Sequence, residues 1–119
     1  MTKYLFLSCL LYLATAGYAM AADSPAQDPF KRGEAAFNAN CARCHGVKGG
    51  GTDKGPPLVH KIYQPNHHAD ISFRWAVERG VRAHHWPFGD MPKIEGVSKD
   101  DVENIIFYVR AIQRDAGIY

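Results

Sequence analysis

The chain has 119 residues, a formal charge of +2, 46% hydrophobic residues and three cysteines. That length allows one small domain. Acidic and basic residues nearly balance, and no charge block is left to track a phosphate backbone, so nucleic acid is not an expected partner.

The amino terminus reads as a targeting segment. Lys3 gives a positive start, Tyr4 to Leu13 an almost unbroken apolar run, and Ala19-Met20-Ala21 a small-x-small cleavage site. The run falls short of the ~20 apolar residues that span a bilayer comfortably, so residues 1–21 are expected to be removed as a signal peptide and no permanent membrane anchor is expected. Cys9 lies inside the apolar run, which argues against lipid attachment there. Lys3 is the only charged residue among these 21, so the mature charge falls to +1. Export places the protein in the periplasm, an oxidising compartment.

Residues 22–28, polar and proline-containing, read as a flexible leader to a domain over 29–119. Asp28 is a cap and Pro29 a first-turn residue for a helix to about Asn40, on which Phe30, Gly33 and Phe37 recur at helical spacing. Residues 46–69 hold five glycines and three prolines, a density that predicts a long ordered loop without regular elements. Loops this long usually wrap a ligand. Asp70, as a cap, opens a helix to Arg79 with Ile71, Trp75 and Glu78 on successive turns, stopped by Gly80. A second punctuated loop runs from Val81 to Val97. Ser98, with Asp101 three residues on, caps a last helix to about Ala116, whose apolar face comprises Val102, Ile105, Ile106, Val109 and Ile112, widened by Phe107 and Tyr108. The expected fold is all-α: three main helices and long loops, with little or no strand. A core this small needs a buried planar cofactor to complete it.

The strongest local signal is Cys41-Ala42-Arg43-Cys44-His45. Two thiols at this spacing can add across the two vinyl groups of a haem, and the following histidine can then donate a nitrogen to iron. A redox dithiol belongs in a βαβ setting that is absent here, and zinc prefers other spacings. The expected cofactor is one covalently attached haem c. For the sixth iron ligand, Met91 is the only methionine after residue 21 and sits in a loop between Asp90 and Pro92; His84 and His85 are its competitors. Trp86 or Trp75 can hydrogen-bond a haem propionate through the indole nitrogen, or simply pack. The pairs His67-His68 and His84-His85 read as exposed polar loop residues; spacing alone shows no convergence into a second metal site.

Residues 29–116 resemble the class I cytochromes c. The resemblance rests on the CxxCH segment, on Gly33 and Phe37 in the first helix, on Ile105 and Tyr108 in the last, and on Gly55-Pro56-Pro57-Leu58. It implies a cytochrome c fold in which the first and last helices cross at those pairs, with the Pro56 carbonyl accepting the His45 Nδ1 proton. It also implies a periplasmic monohaem protein that transfers single electrons and is not an enzyme, with His45 and Met91 as the axial pair. Expected partners are redox proteins such as a periplasmic dehydrogenase or oxidoreductase and a terminal oxidase, met through a small apolar face. A haem enzyme subunit, or a haem sensor with a displaceable sixth ligand, is the alternative.

Overall fold

The computed structural model describes residues 28–119. The expected signal peptide and all but the last residue of the expected leader lie outside them. The described residues form α1 (Pro29–Asn40), a short α2 (Ala42–His45), α3 (Asp70–Arg79) and α4 (Lys99–Asp115), with no strand among them beyond a single Val81–Met91 bridge.

Local chemistry sets most of these boundaries. Asp28 accepts the Phe30 N–H at 2.9 Å and Pro29 occupies the first turn, where its missing donor costs nothing. Ser98 Oγ accepts the Asp101 N–H at 3.1 Å, and its hydroxyl donates to Asp101 Oδ2 at 2.7 Å, so the capping pair closes through side chains. At α3 the cap differs from expectation. Ala69 stands at the cap position, and Asp70, the first helical residue, instead accepts Arg110 Nε at 2.8 Å. Its carboxylate also suits the positive end of the helix dipole. The long first loop is less featureless than its glycine content predicts, containing 3-10 turns at Val47–Gly49 and Lys61–Tyr63.

The core lies where α1 crosses α4. Phe37, Leu58, Ile105, Tyr108 and Val109 are buried together, and the Tyr108 ring packs on Phe30 and Phe37 at centroid separations of 5.1 and 5.4 Å. Gly33 marks the closest approach. A Cβ there would collide with the Asn104 carbonyl oxygen and lie 2.7 Å from Tyr108 Cβ, so only glycine permits this spacing, and its helix-propensity cost of about 1 kcal/mol is offset by the packing it allows.

Two polar residues join the α4 face that the apolar pattern predicts. Arg110 is 8% exposed and Gln113 fully buried. Arg110 donates to the Tyr63 carbonyl and to Gln113 Oε1, each at 2.7 Å, and to the His68 carbonyl, while Gln113 Nε2 donates to the Leu58 carbonyl at 2.8 Å. Together they satisfy the carbonyls of the 58–68 loop, which would otherwise be buried without donors. Phe107, expected to widen the buried face, is 46% exposed.

Candidate haem site

Between α3, α4 and the two long loops lies a largely apolar cavity of about 770 Å³, within the range of roughly 300–1,000 Å³ of small-molecule and cofactor sites. Cys41, His45, Pro56, Met91 and Trp86 all line it, with Phe37, Leu58 and Ile105 forming its floor against the core. Cys44, half-buried on α2, is not among the lining residues.

The wall carrying Cys41 and His45 is stitched by backbone bonds. The Cys41 N–H donates to Phe37 O at 2.8 Å and the His45 N–H to Cys41 O at 2.9 Å, so α2 continues directly from α1. The Gly51 N–H reaches back to His45 O at 2.6 Å, and Thr52 Oγ1 donates to Cys44 O at 2.6 Å. These bonds fold the GPPL segment against α2. As a result His45 Nδ1 donates its proton to the Pro56 carbonyl at 2.9 Å, the bond that the resemblance implied. With Nδ1 protonated, Nε2 keeps its lone pair. Burial lowers the His45 pKa, and the Pro56 bond opposes it. Burial, with the neighbouring Cys44 adding to it, pushes the Cys41 thiol up to about 11.

On the other wall Val81 and Met91 exchange two backbone bonds, each 2.9 Å, and the Ile94 N–H donates to Val77 O at 2.9 Å, tying this loop to α3. Asp90, beside Met91, accepts the Ala83 N–H at 2.8 Å. The α3 surface that lines the cavity includes Phe73, Trp75, Ala76 and Val77. Ile71, 41% exposed, and Glu78 lie off it, because the face is set by the cavity and not by a protein core.

Trp86 supplies a further test of fit. Its indole nitrogen is buried and faces the Tyr63 side chain without a well-formed hydrogen bond, although buried indole donors usually find one. An indole N–H without a well-formed bond on a largely apolar cavity wall suits the acidic edge of a planar cofactor. Trp75 also lines the cavity but is 47% exposed, with the Arg79 guanidinium 5.3 Å from its ring centre. The sequence reading missed Arg110 and Gln113, polar residues within an apolar helix face. It also missed that the two histidine pairs meet at the cavity rim.

A cytochrome c family model matches residues 30–113. The chain belongs to the cytochrome c family, whose members bind haem c and use its iron for electron transfer. No curated protein sequence matches the chain. Cys41, His45, Met91 and the Trp86 indole on the cavity, with Cys44 beside them on α2, form a set that fits haem.

Proposed function

We propose that this protein is an exported, periplasmic cytochrome c with one covalently attached haem, moving single electrons between redox proteins. The observation that carries this reading is that His45, its Nδ1 already bonded to Pro56, and Met91, the only methionine after residue 21, line one apolar cavity. Haem bound there supplies an iron centre that alternates between Fe(III) and Fe(II).

The chain's own residues divide the remaining work. Cys41 and Cys44 would hold the group through thioether bonds, and His45 Nε2 and the Met91 sulfur would be the ligands of its iron. Pro56 fixes the His45 tautomer and strengthens its donation. The Val81–Met91 backbone pair holds the thioether-bearing residue in register. Trp86 Nε1 would donate to an acidic group of the haem, and the largely apolar lining would limit the approach of water. With His45 and Met91 both available as iron ligands, no open position would be left for a substrate, which favours an electron carrier over a haem enzyme or sensor. Residues 1–21 act as the cleaved signal peptide, and the partners are a periplasmic dehydrogenase or oxidoreductase and a terminal oxidase.

The test is the optical spectrum of the purified mature protein, oxidised and reduced, beside that of Met91→Ala. Sharp low-spin reduced bands and the far-red methionine–iron(III) band are expected in the wild type, with the far-red band lost in Met91→Ala while haem stays attached. An unchanged variant spectrum would hand the sixth position to a histidine. A high-spin wild-type spectrum would replace the carrier reading with enzyme or sensor chemistry.

A further inference from the structure

Four histidines from separate loops meet at the cavity rim. His67 and His68 close the first long loop, and His84 and His85 open the turn before Trp86. His67 Nε2 and His85 Nε2 lie 3.3 Å apart. One ring nitrogen from each of His67, His68 and His85 falls within 4.8 Å of the other two. Sequence separation gives no reason for such convergence, since His67 and His85 are 18 positions apart.

For His68 the second ring nitrogen is already engaged in the way metal-binding imidazoles require. His68 Nδ1 donates to the Ile62 carbonyl at 2.7 Å, leaving the Nε2 lone pair free. His84, its ring centre 4.2 Å from that of His85, donates Nδ1 to Arg82 O at 2.8 Å and so backs the group from outside. A backbone carbonyl on the remote nitrogen fixes tautomer and ring orientation at metal sites generally. Among the described residues none of the four rings is paired with a carboxylate.

The spacing decides which ion fits. Zinc–imidazole bonds of about 2.0–2.1 Å at a tetrahedral angle place two ligand nitrogens roughly 3.3–3.4 Å apart, and the His67–His85 pair is already at 3.3 Å. We propose that His67, His68 and His85 bind one late first-row divalent cation of the Zn²⁺ type, at a site separate from the haem ligands, with water in the fourth position. The three donors are all imidazoles, a set that suits zinc and copper better than magnesium or calcium. Bound there, the ion staples the 64–69 loop to the loop that carries Met91. The site requires that Met91 and not His85 be the sixth iron ligand, and otherwise does not depend on the electron-transfer reading.

The experiment is calorimetric titration of chelator-treated, haem-loaded protein with zinc chloride, with the visible haem bands recorded alongside. One equivalent is expected to bind saturably at micromolar concentration without moving the haem bands. His67→Ala and His85→Ala should each weaken it about tenfold or more, while His60→Gln, outside the cluster, leaves it unchanged. Absence of saturable binding below millimolar zinc, binding that survives loss of both His67 and His85, or haem bands that shift in step with zinc would each overturn the proposal. If a variant fails to fold, zinc-edge X-ray absorption of the wild type decides instead. A first shell of three imidazoles and one oxygen is expected, and any other count of imidazoles rejects the site.

Discussion

The two walls of the cavity are built by different means. The wall bearing Cys41, Cys44 and His45 continues from a helix that is locked against α4 at Gly33, and the GPPL loop is bonded onto it at His45, Cys44 and Pro56. The wall bearing Met91 hangs from one two-residue bridge, one backbone bond to α3 and an aspartate. Helix-on-helix packing buries apolar surface and is cooperative, whereas a few exposed loop bonds open locally at small cost. A cytochrome assembled in this way should lose its methionine side before its histidine side.

Breaking the first wall should cost most. In Gly33→Val the new side chain meets the Asn104 carbonyl and Tyr108 Cβ, and backbone on the far side of a helix crossing cannot yield without separating α1 from α4. Overpacking of this kind costs about 3 kcal/mol or more. The urea midpoint of the holoprotein should drop accordingly, with the histidine-side and methionine-side spectroscopic signals falling together. A midpoint equal to wild type would mean that the crossing does not carry the wall.

Arg110→Met tests what spans the two walls. The substitution keeps much of the volume but removes the donors for the His68 carbonyl and for Gln113 Oε1, and one of the two on the Tyr63 carbonyl, which keeps Gln113 Nε2 at 3.2 Å. Asp70 is half exposed and regains water, so its ion pair contributes little. Unsatisfied buried acceptors set the loss at about 2–3 kcal/mol. Amide exchange of residues 61–68 should accelerate more than that of the α1–α4 crossing. Uniform acceleration would show that Arg110 supports the whole fold and not the loop.

The division between the walls also marks what could be read from sequence. The helix bounds at Pro29, Asn40, Asp70, Arg79 and Lys99 follow from Asp28, Gly80 and Ser98 and from helical spacing, all of which act over a few residues. The Cys41–His45 segment and the Pro56 bond were legible because chemistry and a family pattern fix them. Arg110 and Gln113 were not, because their partners are loop carbonyls 42 to 55 positions away, and no periodicity encodes those. The meeting of His67, His68 and His85 depends on the path of two glycine- and proline-rich loops, so it too emerges only in three dimensions.

The smallest expected effect is the most discriminating. Gly80 ends α3 with φ +76°, and a Cβ there would press on the Met91 carbonyl and lie 3.0 Å from Lys93 N. At φ +76° and ψ −179° the backbone lies in a region all but confined to glycine, which costs an alanine on the order of 1–3 kcal/mol, and the contact falls on the carbonyl that accepts the Val81 N–H. Gly80→Ala therefore strains the methionine wall and leaves Gly33, Pro56 and Thr52 untouched. In a denaturant titration the far-red methionine–iron band should fade well before helical circular dichroism does, with a wider gap than in wild type. If both signals still move together and only the shared midpoint shifts, the two walls form one cooperative unit, and the unequal bonding of the cavity has no thermodynamic consequence.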